Sequence, residues 1–213
     1  MLKSNPCKDA KLPKDLPQKK REPPKDIDIE KIKTKKDTDA AVLALFYLYS
    51  GCRKGEALAL EPSDFNKKDK SVRISKTVEW IGQVPQIKYS PKTEAGNREI
   101  PLPDFIFDLL KPRMRSKYIF ANQYGELYRD SQFTRMWDKY KAELGIEATP
   151  HQLRHAYATM LYDAGVDVKT AQRWLGHADI ETTLEIYTHL SEMRQGSSKE
   201  KWLTFIATNK ITA

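Results

Sequence analysis

A chain of 213 residues with a formal net charge of +8 has room for one domain of moderate size, or a small one with an extension, and its charge points to a polyanionic partner. Its longest apolar run, AAVLALFYLYS, falls well short of the roughly 18 residues a membrane-spanning helix needs, and it lies too far into the chain for a signal peptide, so no membrane role is expected. Only Cys7 and Cys52 are present, neither with metal-ligand spacing around it, which argues for a reducing compartment and against a disulfide framework or a zinc site.

Residues 1–36 are thick with Lys and Pro and almost empty of aromatics, so they read as an extended, mobile arm or linker. A helix is predicted from Asp37 or Thr38, carrying Val42, Leu43, Leu45, Phe46 and Leu48 and stopped by Gly51. CRKGEALALEP reads as a short second helix broken by Pro62. From Ser71 to Pro101 the period shortens to two. SVRISKTVEWI, QVPQIKYS and NREIPL read as three strands of one antiparallel sheet, with PKTEAG turning between the last two. Helices follow over 103–110, from Ser131 as cap to Leu144, and over 150–164, 168–175 and 180–190, with a short extended piece at 118–120. A last helix near 199–207 carries Trp202, Leu203, Phe205 and Ile206. The fold class is therefore mainly α with a small three-stranded antiparallel sheet.

TPHQLRHAYATMLYDAG (149–165) is unusual at its start. Thr149, Pro150 and Gln152 fit a capping box, and Leu153, Tyr157, Met160, Leu161 and Ala164 make an apolar stripe. At about 100° per residue, His151, Arg154 and His155 fall off that stripe. His151 would stand where unpaired N–H groups and the positive end of the helix dipole face outward. Extra cations there suit an anion, above all a phosphate; a solvated polar face is the plainer alternative.

Four fragments, SGCRKGEALAL, SPKTEAGNREIPLP, HQLRHAYATML and LGHADIETTLEIYTHL, together resemble the catalytic domain of the tyrosine recombinase (phage integrase) family. Their order and spacing agree over about residues 37–190, and H-x-x-R-H followed by L-G-H ten residues before a Tyr is specific. Ser50 and Cys52 stand where Thr and Leu are more usual. The resemblance implies the tyrosine recombinase/type IB topoisomerase-like catalytic fold, with a catalytic domain over 37–213 and a tail from about 191. It implies that 1–36 follow a separate DNA-clamping domain. It also implies an integrase of a phage or conjugative element, which cuts and rejoins DNA through a 3′-phosphotyrosyl intermediate and consumes no cofactor or metal. The expected partners are a double-stranded DNA recombination site, three further copies in a synaptic tetramer linked by exchange of C-terminal tails, and an accessory excision factor. The expected location is the cytoplasm of a bacterial host, at the nucleoid.

Residue by residue, the resemblance makes Tyr187 the nucleophile, Arg53 and Arg154 the clamp on the scissile phosphate, Lys92 the acid for the leaving 5′-oxygen, His151 an acid/base and His177 a donor to phosphate. Both arginines and His151 are expected to favour the Tyr187 phenolate. Glu56 and His155 are read as supporting groups, and Thr93 and Arg98 as backbone contacts on DNA. On local grounds alone, Arg53 and Lys92 read as surface cations, Glu56 as an ordinary ion-pair partner, His177 as a helix cap and Tyr187 as a core aromatic. The rival activities are non-catalytic DNA binding on the same fold, a type IB topoisomerase and a metal-dependent nuclease; no carboxylate cluster suits the last.

Overall fold

A computed structural model of the protein describes residues 23–89 and 97–193. Its centre is α2 (Asp39–Ser50), apolar on every side, and such a helix is stable only when it is surrounded. Residues Ala40 to Leu48 are all buried. Thr38 caps its start, the hydroxyl accepting the Ala41 amide at 3.2 Å. Around it pack α1 (Asp26–Thr34), α3 (Lys54–Leu58), α4 (Asp104–Leu110), α5 (Asp130–Leu144) and α6 (Pro150–Asp163). Two further helices, α7 (Val168–Leu175) and α8 (Ile180–Met193), pack on α6 and on each other. Among the described residues no helix is long and apolar enough to cross a membrane.

Gly51 ends α2 in the left-handed region at φ 62°, and a Cβ there would sit 2.2 Å from Tyr157 Cδ1 on α6. Backbone strain and overpacking then coincide. Gly51→Ala is expected to lower unfolding free energy by about 2–3 kcal/mol, read as a shift in urea midpoint. An unchanged midpoint would mean that α2 and α6 are less closely apposed than described.

The β structure departs from the expected single three-stranded sheet. SVRISKTVEWI is two strands, β2 (Ser71–Ile74) and β3 (Lys76–Ile81), after a two-residue β1 (Phe65–Asn66). The three-stranded sheet has the order β1-β2-β5, where β5 (Arg98–Pro101) pairs with β2 and not with β4 (Val84–Tyr89). β3 and β4 form a separate hairpin, turning at Gly82 (φ 63°). The break has a packing cause. β3 leaves the sheet to lie on α3, where a Cβ at Gly55 would stand 2.4 Å from the Val78 carbonyl oxygen. Lys76 is buried there against Glu61 (2.6 Å) and Asp64 (3.0 Å). Alternation continues through the break, so periodicity gave no sign of it.

The arm expected over 1–36 is corrected in its last part, residues 1–22 lying outside the described residues. Asp26–Thr34 is helical, with Asp26 and Asp28 in its first turn, Lys31 and Lys33 in its last, and Ile32 fully buried. The Lys- and Pro-rich composition hid this helix, whose apolar face is only Ile29 and Ile32. It braces the segment leading into α6: Lys31 Nζ donates to Gly145 O at 2.8 Å, and Asp28 Oδ2 accepts the Glu147 amide at 3.0 Å. Smaller differences are that α3 ends at Leu58, well before Pro62, and that α5 starts at Asp130, where Gln132 Oε1 rather than Ser131 accepts the Arg129 amide. The helix expected over 199–207 lies outside the described residues.

Candidate active site

The site is built on the end of a helix. Gly176 closes α7 in the left-handed conformation (φ 66°), which leaves the last carbonyls with no helical donor at the negative end of the dipole. Three arginines from three other elements meet three successive carbonyls. Arg98 Nε, from β5, donates to Trp174 O at 2.9 Å. Arg154 Nη2, from α6, donates to Leu175 O at 2.6 Å, while its Nη1 holds Gly51 O at 2.7 Å. Arg53 Nη2, at the start of α3, donates to Gly176 O at 2.8 Å.

One carboxylate serves this cluster. Glu56, third residue of α3, reaches back to the Arg53 amide (2.8 Å) and to Arg53 Nη1 (2.8 Å), and also takes Arg98 Nη1 (3.1 Å) and Nη2 (2.7 Å). Burial alone would raise its pKa, but the hydrogen bonds and charge of Arg98, then Arg53, hold it at about 2. Arg154 is buried and has no carboxylate partner among its described bonds; burial first, then the Arg53 charge, lower its pKa to about 9, so it remains a cation at neutral pH. Three guanidiniums around one carboxylate leave the site short of negative charge, which is what a phosphodiester would supply. Each Arg154 terminal nitrogen carries two N–H groups, so one carbonyl apiece leaves a second donor on each.

The α6 start is as expected. Thr149 Oγ1 accepts the Gln152 amide at 3.2 Å and Gln152 Oε1 accepts the Thr149 amide at 3.0 Å. His151 is exposed on the first turn. Arg154, expected off the core stripe, is instead buried, because Ala158 and Leu161 extend the stripe to its side of the helix. His155 is half-buried, and its Nδ1 has no hydrogen-bond partner in the described structure. His177 follows Gly176, its Nδ1 2.8 Å from Thr183 Oγ1. Burial, and then the charges of Arg154, Arg53, Arg98 and His151, push it down to about 4. The His177 ring is therefore expected to stay neutral in an NMR titration until the pH approaches 4. Protonation near the ordinary histidine value of about 6.5 would show that the arginines are not around it.

Tyr187 is brought to the same helices, but not as expected. Its phenol donates to Val166 O at 3.1 Å and its ring lies edge-on to Tyr162, with centroids 5.2 Å apart. Burial first, and the Asp167 carboxylate second, push its pKa up to about 12. The expectation that the arginines and His151 favour the phenolate is not met in this arrangement. The cause is position: the hydroxyl is turned into the α6–α7 connection.

The structure thus brings Arg53, Glu56, Arg154 and His177 together, with His151 close enough to act on His177. Lys92 and Thr93 lie outside the described residues. Arg98 is corrected: its side chain is fully buried against Glu56, so it is no backbone contact on DNA. A signal for this stood in the strand, since period two puts Arg98 on the same face as the core residue Ile100. The α7 carbonyls, Thr183, and the Val166–Tyr162 seat of Tyr187 had no local signature.

Residues 26–194 match the phage integrase family. The chain belongs to that family. Among related tyrosine recombinases, it is 32% identical over 160 residues to XerD of Listeria innocua, covering 73% of this chain and 51% of that protein. It is 35% identical over 158 residues to XerC of Rhizobium meliloti, covering 73% and 46%. The chain spans about half the length of the curated relatives it matches. Its fold is similar to that of the Tn1549 transposon integrase bound to transposon right end DNA, with TM-score 0.70, 21% identity, and 88% of this chain and 68% of that one covered. It is also similar to XerA recombinase, with TM-score 0.65, 22% identity and coverage of 89% and 66%. The mainly helical body with its small antiparallel sheet is thus the tyrosine recombinase catalytic fold. Within this family member, all four motif fragments meet at the α7 terminus, through Arg53, Arg98, Arg154 and His177.

Proposed function

We propose that the chain carries the catalytic centre of a site-specific recombinase that integrates or excises a mobile element, working as a tetramer on paired DNA sites. The observation that carries this reading is the cluster of three guanidiniums on the α7 terminus, two of them sharing the one carboxylate, beside a helix start that presents His151. The mobile-element assignment is supported by likeness in fold to a transposon integrase.

In this reading Arg53 and Arg154 bind the two non-bridging oxygens of the scissile phosphate and stabilise the charge that builds on them. The Tyr187 oxygen attacks phosphorus as His151 takes the phenol proton, and the P–O5′ bond breaks. Lys92 gives a proton to the departing 5′-oxygen, leaving a 3′-phosphate ester on Tyr187. His177, neutral, donates to a phosphate oxygen. A 5′-hydroxyl from a second strand then attacks the phosphotyrosine, reversing the proton movements and releasing the tyrosine.

The test is a duplex of the candidate element end, nicked just beyond the scissile phosphate so that the short 5′-hydroxyl strand diffuses away and traps the adduct. With a chelator present, a covalent protein–DNA band is expected on a denaturing gel for the element end and not for a scrambled duplex. Adduct on neither, or cleavage only with added Mg²⁺, would overturn the assignment and favour DNA binding alone or a nuclease.

A further inference from the structure

Arg98 and Arg53 divide one carboxylate between them, yet only one of them is placed to meet a substrate. The Arg53 side chain is 49% exposed, whereas that of Arg98 is 0% exposed. Each Glu56 oxygen takes one bond from each residue: Oε1 from Arg53 Nη1 and Arg98 Nη1, Oε2 from the Arg53 amide and Arg98 Nη2. A carboxylate offers about four acceptor positions, so Glu56 is saturated. Arg98 also ties β5 to the α7 terminus through Trp174 O, one residue before the carbonyl held by Arg154 and two before the one held by Arg53.

We infer that Arg98 is a positioning residue for the strand-cutting reaction: by filling two of the four acceptor positions of Glu56, it leaves Arg53 only a partial share of that carboxylate and keeps its remaining N–H groups for the phosphate. Without Arg98 a buried anion has two open acceptor positions, and an unsatisfied buried charge is costly. The nearest guanidinium in the described bonding is that of Arg53, already bonded through Nη1. It then turns toward Glu56 as a forked pair and withdraws from the substrate side. Lysine cannot replace Arg98, because a single ammonium nitrogen does not span two carboxylate oxygens and a carbonyl as a planar fork does.

This inference rests on Arg53 being a phosphate clamp, so the experiment has one arm that needs no catalysis. In ¹⁵N spectra of the full chain, the Arg53 Nε–H signal, identified by its loss in Arg53→Lys, should shift in Arg98→Lys. On saturating nicked element-end DNA, Arg98→Lys should form adduct about 100-fold more slowly, the scale set by a small misplacement of a catalytic group. Its DNA affinity should stay near that of the wild type. Arg98→Met should be slower still, and the double variant Arg98→Met/Glu56→Gln should recover part of the lost rate, because no charged carboxylate remains to draw Arg53 away. A merely structural Arg98 predicts no recovery, since the double variant lacks more of the cluster. Wild-type cleavage by Arg98→Lys, or a double variant no faster than Arg98→Met, overturns the inference, as does an unmoved Arg53 signal. If the wild type forms no adduct while the Arg53 signal still moves, the recombinase reading fails, and what stands is only that Arg98 sets the position of Arg53.

Discussion

Tyr187→Phe is expected to leave DNA binding intact and to stop covalent attachment altogether. The substitution removes one oxygen and keeps a ring that is buried and packed edge-on to Tyr162. Loss of a nucleophile costs on the order of 10⁴-fold or more in rate, which takes the adduct below detection on a denaturing gel. Folding should change little, because what disappears is one hydrogen bond to Val166 O, a net contribution of about 1 kcal/mol. At rest, burial holds the phenol protonated with a pKa near 12, and its proton is given to a carbonyl. Under the proposed mechanism, attack would require the hydroxyl to leave Val166 for the arginine cluster. Persistence of adduct in the Phe variant would assign the nucleophile to another residue.

The fold was legible wherever one segment's pattern decided its partner. Thr38, Thr149 and Gly51 marked helix ends that the structure keeps. What failed was pairing between segments. Alternation in 71–81 does not say that β3 must lie on Gly55, nor that β5 joins β2 instead of β4. In α1, Ile29 and Ile32 were outweighed by the charged and Pro-rich residues around them. At the site, motif spacing named Arg53, Arg154 and His177, and these meet. It also named Glu56, which holds Arg53, but carried no information on the other holders of the arginines, because these are backbone carbonyls of residues 51 and 174–176, which have no side-chain signature. Arg98 was misread for a related reason. Beside a Lys-bearing turn a cation reads as a DNA contact, although its period-two relation to Ile100, and its partner Ile74 across the β2–β5 ladder, place it facing inward.

The largest expected effect on stability is at Glu56. Glu56→Ala strips the carboxylate from a fully buried Arg98 and from Arg53, and breaking a buried pair on one side costs about 3–5 kcal/mol. Glu56→Gln keeps the shape and removes only the charge, so it isolates the electrostatic share. Its pH dependence has a definite sign. The folded pKa, about 2, is depressed below the ordinary 4.5, so the folded state holds the carboxylate ionised more strongly than the unfolded chain does. The contribution is fully present above 4.5 and is lost as the pH falls toward 2. At 1.36 kcal/mol per pKa unit it amounts to about 3 kcal/mol. Urea unfolding of wild type and Glu56→Gln in parallel should therefore show a gap that is widest near neutral pH and closes progressively in acid. Taking the difference removes His177, which destabilises both proteins alike as it is forced to charge at low pH. A gap that does not narrow would mean that Glu56 contributes through shape and hydrogen bonding alone, and that the three arginines tolerate one another without its charge.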